Sequence, residues 1–218
     1  GQLRGAPDME RFYVDKADCS LPPVSVDVCA GLIFVNLDPA PKQTLREYLG
    51  PFPEQWEQLP VARATTFSEY VYEIDSNWKL TYDNFQENYH LRFIHPRTGG
   101  GGAVGPANPF GYPDSYRFYG EHRTQSIWTN PAPILSATQK FAFGKLIPSL
   151  MQKGLMSHPY GRAYYAAFPN FFMIGTPTQP FVHYVMPISA RKSRGVIRIY
   201  WVGDDATASE SFGREFSM

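Results

Sequence analysis

The sequence predicts an α+β fold in which an antiparallel sheet wraps around a long helix. Residues 64–75 are rich in aromatic side chains and alternate in polarity, which is typical of a strand. Further strand candidates follow towards the end of the chain. Between them, residues 77–96 form a candidate helix and residues 133–157 have helical apolar spacing. Antiparallel strands packed around a helix bury one face of each element, so this arrangement suits the pattern.

The first part of the chain predicts a hairpin followed by a connector. In residues 22–38, valines alternate with polar residues before the chain turns at Gly31, which is typical of a hairpin. Residues 39–60 are rich in proline and contain one short helical piece, Leu45–Leu49, so they are predicted to be a connector.

The other predicted elements follow in order. Ser76 or Asn77 is the expected N-cap of the helix after the first strand, since a short polar side chain can satisfy a free backbone N–H there. Gly99–Gly102 predict a loop, either a plain connector or a gate. The later elements are a strand at 114–128, a helix at 133–157 broken by Pro148 and Gly154, strands at Tyr164–Phe168, Phe171–Gly175, Phe181–Pro187 and Gly195–Val202, and a helix from residue 207.

Composition excludes some classes of partner. Lys and Arg together number 20, as do Asp and Glu, so the formal net charge is zero. Such a balance does not favour nucleic acid or an anionic membrane as partner. No apolar run approaches the length of a membrane span. The two cysteines are predicted to be free thiols, and the protein is expected to be cytoplasmic.

Residues 77–96 place two histidines five positions apart, with a carboxylate nearby. Glu87 and His90 are three residues apart, so on a helix they are neighbours on one face. Five helical steps of about 100° carry His95 roughly 140° from His90, so both imidazoles reach one metal only if the helix ends near His95. Pro96 favours such an end, because the residue before a proline avoids the α region. The segment therefore predicts half of a metal site at a helix end.

Two metals suit such ligands. Two imidazoles and a carboxylate on one face of an octahedral Fe(II) leave positions open for O2 beside a substrate. The same ligands can hold zinc, which usually closes its shell or keeps one water. Ligand type and spacing leave both metals open.

This segment resembles the catalytic domain of Rieske-type non-haem iron oxygenases, the ring-hydroxylating oxygenase α-subunits. The resemblance is carried by Asn77-Trp78-Lys79, Asn84-Phe85, Glu87, Tyr89-His90 and His95. It implies a helix-grip (Bet v 1-like) fold and iron, with His90 and His95 as ligands. Glu87 stands where most members have an Asp that bridges the iron to an electron-donating cluster, and a Glu there is more similar to members acting on quaternary amines. The alternative for Glu87 is an exposed charge paired with a nearby Lys or Arg.

The resemblance also implies a domain organisation. Neither Cys19 nor Cys29 is followed closely by a histidine, and no histidine precedes His90, so a Rieske [2Fe-2S] cluster is expected in a region absent from this chain. The implied segments are the C-terminal remnant of the Rieske domain at 1–38, a connector at 39–60 and a C-terminally truncated mononuclear-iron domain at 61–218.

The third iron ligand is expected to be an Asp beyond Met218, because the family carries it on a helix well downstream of strands like Gly195–Val202. Asp204 and Asp205 are nearer candidates, although Asp205 also fits a turn or cap. His122, His158 and His183 carry no motif and are predicted to be structural. Several apolar residues either line a substrate pocket or form plain core, namely Phe118, Phe141, Phe168, Phe171, Phe172 and Met173.

The resemblance implies an oxygenase that hydroxylates an aromatic or small organic substrate, a quaternary amine included, with O2 and Fe(II). Electrons would come from NAD(P)H through a reductase or ferredoxin, reach the cluster, and cross a subunit boundary near Glu87. The family implies a homotrimer. Two alternatives stay open, a helix-grip module that binds a ligand without catalysis and a zinc-dependent hydrolase.

Overall fold

The computed structural model describes residues 1–64, 66–95, 108–113, 115–128, 161–175 and 180–201. Within these ranges the strands are β1 Ser25–Cys29, β2 Leu32–Asn36, β3 Thr66–Ile74, β4 Ser115–Tyr119, β5 His122–Trp128, β6 Gly161–Ala167, β7 Phe171–Gly175, β8 Phe181–Ser189 and β9 Lys192–Trp201. The α-helices are α1 Leu45–Leu49, α2 Phe52–Trp56, α3 Trp78–Asp83 and α4 Leu91–Ile94, and short 3-10 turns lie at Met9–Arg11, Lys16–Cys19 and Pro60–Arg63.

Seven strands form one antiparallel sheet, in the order β3-β9-β8-β7-β6-β5-β4, while β1 and β2 pair separately. This confirms the predicted α+β class with a large antiparallel sheet. The α-helices of the described ranges have at most six residues, so the predicted long helix is not among them. The predictions for Gly99–Gly102, 133–157 and 207–218 also lie outside the described residues. No helix in these ranges is long and apolar enough to cross a membrane.

The predicted N-terminal hairpin is confirmed. β1 and β2 pair antiparallel around Ala30 and Gly31, whose φ angles of 51° and 79° suit a two-residue hairpin turn. A Cβ on Gly31 would lie 2.9 Å from the Cα of Ala62, so glycine is also needed for close approach. Because side chains alternate along the strands, the two faces of the hairpin have different surroundings. On one face Phe34 stacks on Trp56, and on the other the valines of β1 face solvent.

Residues 39–60 do more than connect. The predicted short helix is confirmed as α1, which begins with a capping box formed by Thr44 and Glu47. A second helix, α2, follows it directly. Its Phe52 and Trp56 are fully buried at the centre of the largest hydrophobic cluster, together with Cys29 and sheet residues. The hairpin, these helices and the sheet therefore share one core.

The prediction of a single strand at 114–128 is wrong. The chain forms two strands there, β4 and β5, joined by a turn at Gly120 and Glu121. Gly120 has a φ of 61°, a left-handed conformation that ends the extended run. The strands predicted at 64–75 and at the four later segments are confirmed as β3 and β6 to β9.

The two faces of the sheet pack against different segments. On one face, Tyr165 and Met173 belong to the cluster around α2. On the opposite face, Phe172 and His183 pack against Phe85, which follows α3. The histidine segment therefore lies on the face opposite the N-terminal helices.

Candidate metal centre

Asn77 fixes the start of the histidine segment to the sheet. Its side-chain oxygen accepts a hydrogen bond from the backbone N–H of Lys79 at 3.1 Å, which makes Asn77 the N-cap of α3. Its amide nitrogen donates to the carbonyl of Ala190 at 2.8 Å, between β8 and β9. The structure thus selects Asn77 over Ser76 as the cap.

The prediction that Glu87 and His90 share one continuous helix is wrong. α3 ends at Asp83, residues 84–90 form turns, and α4 begins at Leu91. The break has two causes. The ring of Phe85 packs on the face of the sheet, against Phe172 and His183. The side-chain amide of Asn88 donates to the carbonyl of Gly111. Asn side chains often form such hydrogen bonds outside a helix, which disfavours a continuous helix at that position.

Glu87 nevertheless lies against His90. Its Oε1 contacts His90 Nδ1, and its Oε2 accepts a hydrogen bond from the backbone N–H of His90 at 3.2 Å. An ionised carboxylate only accepts, so Nδ1 carries a proton in this contact, which in the neutral ring leaves the lone pair on Nε2. Fixing the tautomer in this way is how an acidic partner prepares a histidine for a metal.

His90 and His95 come together across the single turn of α4. His90 directly precedes the helix, and His95 follows it with φ −116° and ψ 40°, so the predicted helix end at His95 is confirmed. The two rings lie 5.3 Å apart at 75°. With metal–nitrogen bonds of about 2.1 Å, each ring centre stands roughly 3.2 Å from the ion, so ligands at about 90 to 110° have ring centres roughly 4.5 to 5.3 Å apart. The observed separation fits two neighbouring positions on one ion.

The described ranges hold no group of three or more His, Cys, Asp and Glu side chains that could bind a metal. Asp204 and Asp205 lie outside those ranges. The donors described so far are thus two imidazoles, with Glu87 turned towards His90. Two neutral nitrogen ligands suit iron and zinc alike, so the geometry fits a metal without selecting one.

The other described histidines have structural partners. His122 Nε2 donates to the carbonyl of Tyr48 at 2.7 Å, and His122 Nδ1 accepts from the backbone N–H of Phe168 at 3.1 Å. His183 is buried and its Nε2 lies 2.8 Å from the hydroxyl of Tyr72. Both agree with the structural roles predicted from the absence of a motif, while His158 lies outside the described residues.

Burial of His183 predicts a pH-dependent stability. Burial lowers its pKa from the ordinary 6.5 to about 4. The unfolded chain takes up the proton as pH falls below about 6.5, whereas the folded protein resists until about 4, so stability should fall across this window by up to about 3 kcal/mol. Urea unfolding of the wild type and of His183→Gln, compared at each pH, should show a slope in the difference. A constant difference would contradict this prediction.

A shallow cleft opens on the same face of the sheet, beside the histidine segment. Phe85 and Gln86 form one wall, and Phe172, Arg123 and Gln125 form much of the other. Of the described residues that line this cleft, Arg123 alone carries a formal charge. Its free volume is about 10 Å³, room for about one water molecule, so as it stands the cleft could hold only the end of a larger molecule.

The polar residues of β5 that face the cleft were not predicted from the sequence. Arg123 and Gln125 occupy alternate positions on a strand whose inner face is otherwise lined by apolar and aromatic neighbours. Of the apolar candidates, Phe172 lines the cleft and also belongs to the core cluster on that face, so both alternatives apply to it. Phe171 and Met173 belong to the cluster on the other face, because neighbours along a strand point to opposite sides. Phe118 and Phe168 are exposed, and Phe141 lies outside the described residues.

A family model described as "Ring hydroxylating alpha subunit (catalytic domain)" matches residues 61–218. That match spans well over half of the chain. The chain belongs to the ring-hydroxylating oxygenase α-subunit family. The resemblance stated from Asn77 to His95 is thereby confirmed at the level of the family.

Two curated relatives of this ring-hydroxylating oxygenase chain are similar over part of their length. A carnitine monooxygenase oxygenase subunit from Acinetobacter baumannii is 29% identical over 152 residues, covering 67% of this chain and 35% of the relative. The α-subunit of 2-aminobenzenesulfonate 2,3-dioxygenase from Alcaligenes sp is 31% identical over 105 residues, covering 45% of this chain and 26% of the relative. The chain thus spans about a third of the curated relatives it matches.

Solved structures share the fold of this ring-hydroxylating oxygenase chain. A quaternary ammonium Rieske monooxygenase superposes with a TM-score of 0.70 at 20% identity, over 99% of this chain and 53% of the other. Naphthalene 1,2-dioxygenase superposes with a TM-score of 0.65 at 20% identity, over 98% of this chain and 54% of the other. At this identity the superpositions establish the fold alone.

Proposed function

We propose that this chain is the catalytic part of a Rieske-type oxygenase that uses mononuclear Fe(II) and O2 to hydroxylate a small organic substrate. The observation that supports this most is the convergence of His90 and His95, with ring centres 5.3 Å apart, on a segment where Glu87 orients His90. Family membership favours iron over zinc for this pair.

The proposed roles follow from the contacts. His90 and His95 hold the ion through ring nitrogens, and Glu87 keeps the proton of His90 on Nδ1 so that Nε2 faces the ion. Bound Fe(II) supplies one-electron and O2 chemistry that side chains lack. The rings of Phe85 and Phe172, which line the cleft, would pack against part of the substrate. A third ligand, an Asp beyond Met218, remains part of the proposal.

The proposed partners and surroundings are those of the family. Relatives named as mono- and dioxygenases support a reductase or ferredoxin that delivers electrons from NAD(P)H, through a [2Fe-2S] cluster outside this chain. We also propose a homotrimer in the cytoplasm. Mass measurement of the purified full-length protein by light scattering tests the trimer, and a monomer would contradict it.

Metal analysis tests the proposed function against its alternatives. The protein is stripped of metal, reconstituted without oxygen in equal Fe(II) and Zn(II), and analysed by mass spectrometry. About one iron per chain supports the oxygenase. Zinc in its place would favour a hydrolase, and no bound metal would favour a ligand-binding module.

The charge of the cleft supports a narrower substrate class. Arg123 lies about three-quarters buried beside the cleft, with its Nη1 donating to the hydroxyl of Tyr116 at 2.8 Å. Among the described residues, its ion-pair partner is Asp83, whose Oδ1 lies 3.9 Å from Nη2, and its Nε has no hydrogen-bond partner. A guanidinium in this state attracts a carboxylate or sulfonate and repels a bare cation. We therefore propose a substrate with an anionic end.

Replacing Arg123 with glutamine should weaken the binding of anionic substrates selectively. Calorimetry would compare 2-aminobenzenesulfonate with aniline, which lacks the acid group. A charge-assisted hydrogen bond is worth about 1.5–3 kcal/mol, so affinity for the sulfonate should fall about 10-fold or more, with aniline unchanged. Arg117→Gln, at an exposed arginine on β4, is the matched control. Equal losses for both ligands would contradict the anionic-end proposal.

A further inference from the structure

Asn88 joins the histidine segment to the sheet through its side-chain amide. It lies between Glu87 and Tyr89, two residues before His90. Its Nδ2 donates to Gln125 Oε1 at 3.4 Å, and its Oδ1 accepts from Gln125 Nε2 at 3.3 Å, so the two amides form a reciprocal pair. The same Nδ2 donates to the carbonyl of Gly111 at 3.0 Å.

The turn at 84–90 needs such an external attachment. Continuous helical hydrogen bonds would fix its shape, but α3 stops at Asp83 and α4 starts only at Leu91. Gln125 is 4% exposed and sits on the central part of β5, so it offers a rigid anchor. Glu87, by contrast, is 46% exposed and has no comparable packing to hold it. Phe85 and the buried Gln86 fix the chain before Glu87, so on the side towards His90 the position of Glu87 depends on its neighbour Asn88.

A second contact fixes the same turn from outside. The ring of Tyr89 stacks on Phe110 at 5.7 Å and 4°, and the guanidinium of Arg92 lies over Phe110 at 5.2 Å. Phe110 belongs to a tight turn in which Asn108 accepts from the backbone N–H of Tyr112 at 2.7 Å. Asn88 is the one residue among these that reaches both this turn, through Gly111, and the sheet.

We propose that Asn88 and Gln125 are positioning residues for the metal centre. Their amide pair holds the turn so that Glu87 meets His90 Nδ1 and the ring of His90 stays 5.3 Å from the ring of His95. Small displacements at a metal site have large effects, because outer partners of ligands typically change affinity by about 10 to 100-fold. This inference rests on the proposed function for its consequence, although the positioning itself is independent of which metal binds.

Gln125→Leu tests the pair with Co(II) as a visible probe of the site. The variant removes both hydrogen bonds to Asn88 at similar volume, and Co(II) affinity should fall about 10-fold with a changed absorption band. Asn170→Leu is the matched control. Asn170 lies in the turn between β6 and β7, and its side-chain amide donates to the carbonyl of Val185 in β8 at 2.9 Å. Both variants should lower the thermal midpoint, but only Gln125→Leu should change Co(II) binding.

The swapped double variant provides the rescue. Asn88→Gln combined with Gln125→Asn keeps one amide on each side, so it should recover much of the Co(II) affinity and the wild-type band. Should Gln125→Leu fail to fold, Asn88→Ala, at a partly buried position, removes the same pair together with the hydrogen bond to Gly111 and should show at least the same loss.

A metal-free readout separates this inference from the proposed function. The ring nitrogens of His90, followed by 15N NMR, should show the Nδ1-protonated form in the wild type and a mixture in Gln125→Leu. Unchanged His90 signals and Co(II) affinity in that variant would overturn the positioning role. If His90 signals change while even the wild type fails to bind Co(II), the positioning stands and the proposed metal centre falls.

Discussion

His90→Ala should abolish tight binding of Fe(II), and His95→Ala should do the same. The two rings lie 5.3 Å apart, so each supplies one of two neighbouring positions on the proposed ion. Loss of an outer partner alone weakens metal sites by about 10 to 100-fold, so removal of a ligand should cost about 100-fold or more. Anaerobic dialysis against graded Fe(II), followed by metal analysis of the protein, measures the change.

The control for this experiment is a histidine with purely structural contacts. His122 lies between the carbonyl of Tyr48 and the backbone N–H of Phe168. His122→Gln should lower the thermal midpoint and leave Fe(II) binding as it was. If His90→Ala binds Fe(II) as tightly as the wild type, the two histidines do not form a metal centre.

The strands could be predicted because their alternation is local. β1 and β2 alternate valine with polar residues, and Ala30 and Gly31 supply the turn that joins them. β6 to β9 are aromatic and β-branched over short stretches, which suits a half-buried surface whatever the partner. The family resemblance added the fold of the whole, which periodicity does not fix.

The sequence was less informative where tertiary packing decides. In residues 39–60 the prolines suggested a connector, but Phe52 and Trp56 are fully buried against the sheet. At Gly120 a lone glycine gave no clear turn signal within an aromatic run. Its φ of 61° nevertheless divides the predicted strand into a hairpin.

The candidate site shows the same division. The spacing of His90 and His95, with Pro96 after them, was enough to predict that a helix ends at His95. The break before His90 was not predictable in this way. It depends on the packing of Phe85 against Phe172 and on the hydrogen bond from Asn88 to Gly111, 23 residues further along the chain. Local sequence patterns carry no information on partners that are so far apart along the chain.

Glu87→Gln should retain iron while turnover collapses in the cluster-loaded, full-length protein. Glutamine keeps an oxygen that can accept the Nδ1 proton of His90, so the ligand stays oriented. It loses the negative charge that the proposed electron path near Glu87 requires. We therefore expect turnover to collapse while the iron content stays at the wild-type level. Product formation under saturating Fe(II), together with iron content, measures both effects.

Two further variants decide what Glu87 does. Glu87→Ala removes both the charge and the contact with His90, so it should also weaken Fe(II) binding by about 10-fold. Glu54→Gln removes an exposed carboxylate of α2, on the opposite face of the sheet, and should change neither quantity. Normal turnover in Glu87→Gln would refute the bridging role. If Glu87→Gln instead loses as much iron as Glu87→Ala, the hydrogen bond that glutamine retains is not enough to hold His90 in place. The charge of Glu87 would then be needed to orient His90, and the loss of turnover would follow from the loss of iron.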